Sequence, residues 1–457
     1  MSAAKSSRPN IVLFLADQLR RNALGCYGAA DAATPHIDAL AASGVTFDAA
    51  CSSFPVCVPY RFTLMTGLRA LTRDVPCLGW RMSPAERTIA DLFNENGYDT
   101  IYLGKWHLFG ANPDESGWVP PDHRGRFGTW EGFEKVNDHF RTELYSGDTR
   151  EPHRYEGFQT DVLIDRALAL LKERSGGKRT KSERPFLFVL SVEPPHPPLG
   201  APRAYEQRRR AMKPVLPPNF LFRDTDTGPE PKLPARARDN AILGRQIYQA
   251  MIDNLDDNVG RFVAGLDALG LADETVLLFT ADHGQMDGAH ALPNSVKRNP
   301  YEESVGVPLI VRDPRRKASA GRRAAEPVGT EDLFPTLLGL AGIEPISALP
   351  GFDLAALLDT PTGTLDRAGL LLYLTHHFES DHPWYRRGWR ALRTREHLFA
   401  CWGSRASGLK PWHLYDLAAD PWQMNDLVTR DAPAVARFTG LLRDTMEEAG
   451  DHLGFAA

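Results

Sequence analysis

The chain has 457 residues, 42% of them hydrophobic and 24% charged, and its 53 basic and 58 acidic side chains leave a formal net charge of -5. That length exceeds the roughly 150 residues of a common domain and allows a large core with more than one structural unit. So near a balance of charge excludes the basic surface of a nucleic-acid binder or of an anionic-membrane binder, and neither is expected as a partner.

In chain order, the first apolar run, residues 10–15, is followed by Ala16 and Asp17 and is too short for the core of a secretory signal. It reads as a strand, and the chain as cytoplasmic. The five cysteines (Cys26, Cys51, Cys57, Cys77 and Cys401) are odd in number and irregularly spaced, which argues against a disulfide framework and fits a reducing compartment. A helix is predicted over 88–96, closed by Gly97, and a strand over 100–103. Next come a helix over 161–173, a Gly, Ser, Lys and Arg run over 175–184 that reads as a solvated loop, and a strand over 186–192. Residues 194–234 hold eleven prolines, too many for a helix or a central strand, so the stretch is expected to wrap the surface as an ordered loop of the kind that borders active sites. A long amphipathic helix over 240–269 leads to strands over 276–280 and 307–311. Like the earlier apolar runs, these are rich in β-branched residues and read as buried parallel strands.

Beyond about residue 367 the pattern changes to short strands over 369–373, 389–393, 397–400 and 412–416 and a final helix over 432–448. The expected fold is α/β: residues 1–367 form a large mixed, mostly parallel sheet covered by helices on both faces, and residues 368–457 a smaller α+β domain with a short antiparallel sheet. No internal repeat or membrane-spanning run interrupts this order.

In such sheets the working residues sit at the carboxyl ends of strands. Asp17 and Gln18 follow the first strand, Lys105 and His107 the second, His196 the third, and Asp282 and His283 the fourth. Each alone has an ordinary reading as a turn, capping or hydrogen-bonding residue; their joint occurrence at four strand ends points to a site. Asp17, Asp282 and His283 offer hard oxygen ligands and one imidazole, a set suited to one divalent ion such as Ca²⁺, Mg²⁺ or Mn²⁺. Arg61, Lys105, Lys297, His107, His196 and His290 add positive charge or hydrogen-bond donors, an excess that calls for a small anionic substrate.

The sharpest signal is Cys57-Val58-Pro59-Tyr60-Arg61, a C-x-P-x-R match followed by Leu64-Met65-Thr66-Gly67. With Gly104-Lys105-Trp106-His107-Leu108, Pro195-His196-Pro197-Pro198, Thr280-Ala281-Asp282-His283-Gly284, Lys297 with Tyr301-Glu302-Glu303, and Leu414-Tyr415-Asp416-Leu417 with Asp420-Pro421 and Asn425, the array resembles the sulfatase family of the alkaline phosphatase superfamily through most of the chain. The resemblance implies hydrolysis of a sulfate monoester and conversion of Cys57 by a separate formylglycine-generating enzyme to Cα-formylglycine, whose hydrate is the nucleophile. It also implies one cation, Ca²⁺ before Mg²⁺ or Mn²⁺, held by Asp17, Gln18, Asp282, His283 and the modified Cys57. Lys105 and Lys297 would hold the non-bridging oxygens. His196, with Lys297 nearby, would protonate the departing alkoxide, His107 would take a proton from the second hydroxyl of the hydrate, and Arg61 would orient the modified residue. His290 is a candidate substrate contact, and His376, His377 and His382 in the smaller domain are candidates to shape the substrate site. Self-association as a homo-oligomer is compatible with the sequence.

Two positions depart from the family pattern. Tyr60 stands where most members have serine, and Gln18 stands where many sulfatases have a second aspartate. Asp-Gln also occurs in the family's phosphonate monoester hydrolases, so a phosphonate monoester hydrolase or phosphodiesterase using the same site is the alternative. A non-catalytic binding descendant would have no need of Cys57, Arg61 and the metal set together, and a zinc phosphatase would need further metal ligands.

Overall fold

A computed structural model describes residues 8–110, 117–174, 184–223, 225–345, 347–377 and 379–456. The chain opens with β1 (Asn10–Ala16), α1 (Pro35–Ala42), β2 (Val45–Phe47), α2 (Cys57–Thr66), α3 (Ile89–Glu95), β3 (Asp99–Lys105) and β4 (Thr129–Phe133). A hairpin, β5 (Arg141–Leu144) and β6 (His153–Glu156), precedes α4 (Gln159–Arg174), β7 (Phe186–Val192), α5 (Arg203–Ala211), α6 (Arg238–Ala268) and β8 (Thr275–Ala281). Then follow α7 (Glu302–Val305), β9 (Leu309–Arg312), β10 (Arg322–Ala324), α8 (Thr330–Ala341) and α9 (Ala355–Asp359). The chain closes with β11 (Leu370–Leu374), β12 (Gly388–Arg393), β13 (His397–Ser404), β14 (Gly408–Asp416) and α10 (Ala432–Glu448).

The main sheet has the order β10-β2-β9-β8-β1-β7-β3-β4. Strands β8, β1, β7, β3 and β4 run parallel to one another, and every residue of β1, β7 and β8 is buried. Strands walled on both faces need no polar alternation, which is why they read in the sequence as unbroken apolar runs. Around them α6 packs on α1, α4 and α5, while α2 packs on α8 and α3, giving helices on both faces. The expected α/β architecture is borne out, as is the second sheet, antiparallel β11-β12-β13-β14 with α10 against it.

Three expectations need correction. The strand expected over 307–311 is β9, and it runs antiparallel to β8 (Phe279↔Ile310), because the chain returns through the short α7 without a crossover helix to reverse it. The proline-rich stretch does contain a helix, α5, between Pro202 at its N-cap and Pro214, where proline's fixed φ starts a helix without costing an internal hydrogen bond. Strands β13 and β14 are longer than expected, joined by a tight Ser404–Gly408 turn. The solvated loop expected over 175–184 falls, except for Arg184, outside the described residues. All five cysteines are free, and no helix among the described residues is long and apolar enough to cross a membrane.

Candidate active site

Adjacent parallel strands end level with one another. Ala16 pairs with Val192 and with Ala281, and Gly104 with Ser191, so the residues that follow emerge side by side from the sheet edge. Asp17 N donates to Val192 O at 3.1 Å, and Asp282 N to Ala16 O at 3.2 Å, carrying the ladder one step past the strands and fixing both carboxylates. Gln18 turns away with φ +62°, its backbone N–H donating to Asp282 Oδ1 at 2.9 Å.

Cys57 opens α2, whose ten residues are all buried and which ends in Gly67 at φ +71°. Its Sγ lies 3.1 Å from His283 Nε2, 3.3 Å from Lys297 Nζ and 3.6 Å from Asp17 Oδ1. One ligand atom each from Asp17, Cys57, Asp282 and His283 lies within 4.8 Å of the others. His283 Nδ1 faces Gly284 O at 3.0 Å, which places the ring proton there and turns Nε2 to the cluster as an acceptor. Two carboxylates and a neutral imidazole fit a hard divalent ion. Lys297 Nζ donates to Gln18 Oε1 at 2.8 Å and stands 3.2 Å from His283 Nε2 and 3.4 Å from His196 Nε2. Gln18 therefore belongs to the same group of side chains.

The cations are held in place by buried partners. Lys105 Nζ pairs with Asp17 Oδ2 at 2.7 Å and with Glu193 Oε1 at 2.9 Å. Arg61 donates to Lys105 O at 2.7 Å and Ser191 Oγ at 2.8 Å and reaches Asp17 and Asp282 at 3.3 and 3.4 Å. Burial raises the Asp17 carboxyl, but Lys105 foremost, with His196, Arg61 and Lys297, brings it well below the usual range. Asp282 is raised instead, by burial and then by the charge of Asp17. Burial, reinforced by Asp17, pushes the Cys57 thiol up to about 12. His107, with φ +56°, is buried beside these groups, its Nδ1 unpartnered among the described residues; burial and then the charges of Lys105 and Arg61 hold its ring neutral.

Asp17, Gln18, Cys57, Arg61, Lys105, His196, Asp282, His283 and Lys297 are thus brought together by direct contacts, with His107 adjacent. His290 is not. It is fully buried and stacks on Tyr301 with ring centroids 4.2 Å apart, its nitrogens facing Asn219 and Thr225, so the expected substrate contact is corrected to a packed core imidazole. Tyr60 packs into the core. His377 and His382 stack on each other in the loop between β11 and β12, while His376 lines a separate cavity of about 1260 Å³ with Trp80, Arg386 and Arg405. Glu193 is not among the residues expected above, although it follows β7 directly and so carries the strand-end signal.

Buried acids, an imidazole and three cations around one cysteine at the edge of a mixed sheet define a hydrolase built for an anionic ester. Residues 9–343 match the family model described as Sulfatase, and residues 291–451 match that for N-sulphoglucosamine sulphohydrolase, C-terminal. The chain belongs to the sulfatase family and is an enzyme, a sulfuric ester hydrolase. It is 32% identical over 423 residues to the ulvan-active sulfatase of Formosa agariphila, covering 92% of this chain and 77% of that protein. Two of the solved structures that share the fold are each 22% identical to this chain. One is BT4656 with its substrate D-glucosamine-2-N,6-O-disulfate (TM-score 0.81, 98% of this chain and 99% of that one). The other is the phosphonate monoester hydrolase of Agrobacterium radiobacter (TM-score 0.76, 97% and 96%).

Proposed function

We propose that the enzyme cleaves a sulfate monoester with a nucleophile made from Cys57 by oxidation to formylglycine, in a site that holds one divalent cation, Ca²⁺ first, through Asp17, Gln18, Asp282, His283 and the modified residue. The observation that carries this reading is the position of Cys57 Sγ, at the head of a C-x-P-x-R helix and 3.1 to 3.6 Å from His283, Lys297 and Asp17. The cation supplies Lewis acidity at the nucleophile and neutralises charge on the reacting group. A hydrated aldehyde would bring a second hydroxyl, and so a way to expel sulfate by collapsing back to the aldehyde, which a thiol lacks.

The chain's own residues do the rest. Lys105, fixed between Asp17 and Glu193, and Lys297 hold the non-bridging oxygens of the ester where negative charge grows in the transition state. His196 Nδ1 is engaged with Pro197 O at 2.5 Å, which leaves Nε2 to receive a proton from Lys297 and pass it to the departing alkoxide. His107, neutral and with Nδ1 unpartnered among the described residues, is the base that takes the proton from the second hydroxyl. Arg61 locks the Lys105 carbonyl, Ser191 and both acids around the head of α2.

Peptide mass spectrometry tests the reading. In active protein made with a formylglycine-generating enzyme, the Cys57 peptide should have lost one sulfur and two hydrogens and gained one oxygen, or carry the corresponding hydrate. Multiple turnover by protein holding only unmodified Cys57 would overturn it. Gln18, a neutral residue, favours keeping the phosphonate monoester or phosphodiester reading in the same assay. Comparing kcat/KM for a sulfate monoester with that for a phosphonate monoester decides between them, and we expect the sulfate to be preferred.

A further inference from the structure

Ala16 pairs with Val192, so Glu193 leaves β7 beside Asp17, fully buried at the same sheet edge. Its backbone N–H donates to Gln159 Oε1 at 3.1 Å, and its Oε2 accepts from Gln159 Nε2 at 3.2 Å. Gln159, the first residue of α4, is anchored in turn by its own N–H, which donates to His139 O at 2.7 Å. A neutral amide at position 193 would make the same two bonds with Gln159, donating through its N–H and accepting through its oxygen. The charge of Glu193 is therefore not needed to hold the loop.

That charge acts on Lys105. Glu193 Oε1 faces Lys105 Nζ at 2.9 Å as an ion pair, with no aligned hydrogen-bond donor among the described residues. Burial raises the Glu193 carboxyl, but Lys105 foremost brings it below the usual range, so it is ionised. Asp17 and Asp282 belong to the cluster whose ligand atoms gather within 4.8 Å of one another, and Glu193 does not. Its charge is thus set against the lysine that faces the ester and against nothing else at the site. A buried carboxylate is costly, and here it also weakens the attraction of the site for anions. Weaker attraction is useful where one anion is to be held and a more highly charged one kept out or let go. A sulfate monoester carries one negative charge, whereas a phosphate monoester carries about two above its second pKa of roughly 6, and the sulfate released by hydrolysis is a dianion.

We propose that Glu193 is a specificity residue acting through Lys105: by offsetting one positive charge of the site it favours singly charged tetrahedral esters over dianions, keeping out phosphate monoesters and easing the release of sulfate. The inference rests on the reading of Lys105 as a holder of the ester's non-bridging oxygens. It adds a discrimination that reading does not contain, since sulfate monoesters, phosphonate monoesters and phosphodiesters all carry a single charge.

Inorganic sulfate and methanesulfonate, a dianion and a monoanion of similar tetrahedral shape, are the probes, with dissociation constants measured by calorimetry on fully converted, metal-loaded enzyme at about pH 8. The wild type should bind sulfate no more than about tenfold more tightly than methanesulfonate. Glu193→Gln should tighten sulfate relative to methanesulfonate by about tenfold or more, because the dianion feels the removed charge twice. In the same variant, kcat/KM for 4-nitrophenyl phosphate should rise relative to that for 4-nitrophenyl sulfate by a similar factor. Glu193→Asp keeps the charge and should keep both wild-type ratios even where the overall rate falls. A purely structural role would weaken both members of each pair together, so unchanged ratios in folded Glu193→Gln would overturn the proposal. A wild type that binds sulfate about a hundredfold more tightly than methanesulfonate would overturn it without any variant. Failure of the converted wild type to turn over 4-nitrophenyl sulfate would overturn the parent reading, and the inference with it.

Discussion

Asp17 and Asp282 are buried together at the ends of neighbouring strands, and the cations of the chain satisfy them unequally. Lys105 and Arg61 draw Asp17 well down, whereas Asp282 stays raised beside it. A divalent ion held by both, as proposed, would let both ionise, so each carboxylate should matter to metal retention as well as to rate. We expect Asp282→Ala to lose bound metal by elemental analysis and activity together; full metal occupancy in that variant would sink the assignment. His196→Ala should act differently, slowing esters of basic alcohols by about 10²-fold or more while barely touching nitrophenyl sulfate, because a general acid matters in proportion to leaving-group basicity. Equal slowing along a leaving-group series would remove His196 from that role. These residues were legible in the sequence because a polar group directly after an apolar run can be placed at a sheet edge. His290 was not, since nearness to Asp282 along the chain says nothing of where a loop folds, and here it folds onto Tyr301.

At the scale of elements, β1, β7 and β8 could be read from the sequence because burial on both faces leaves an unbroken apolar signature. The short β2 and β10, three residues each and at one edge, carry no such signature, and strand direction leaves none, which is why β9 was expected parallel. Register also depends on positions that look unremarkable in a sequence. Gly104 has φ +105°, and a Cβ there would come 2.0 Å from Ser191 O, into the pairing of β3 with β7 that sets Lys105 beside Glu193. Gly104→Ala should therefore cost at least about 1–3 kcal/mol in backbone strain alone. A fall in the thermal midpoint with loss of turnover checks it, and a variant as stable and active as wild type would show that the strands close up without glycine.

At the scale of the whole molecule, the two sheets meet around Glu302, in the segment that also carries Lys297, Arg298 and Tyr301. Arg393 on β12 donates to Glu302 Oε1 at 2.8 Å, and Arg21, just past β1, pairs with its other oxygen. Tyr301 OH faces His413 on β14 at 3.0 Å, and Trp389 on β12 holds the Arg298 carbonyl, so the second sheet braces the loop that presents the site lysine. Burial raises the Glu302 carboxyl, but Arg21 and Arg393 outweigh it and bring it from 4.5 to about 2. A carboxylate lowered on folding contributes stability that is present above its unfolded value and is lost as pH falls through its folded one. Glu302→Gln leaves two buried guanidinium groups uncompensated, for which a cost of about 3–5 kcal/mol is expected. The gap in thermal midpoint between wild type and Glu302→Gln should accordingly stay constant above about pH 4.5 and close as pH falls toward 2. Thermal unfolding of both proteins across that range checks it. A gap that does not change with pH would mean the carboxylate is held by packing and not by its charge, and the two sheets would then owe their alignment to the tyrosine and tryptophan contacts.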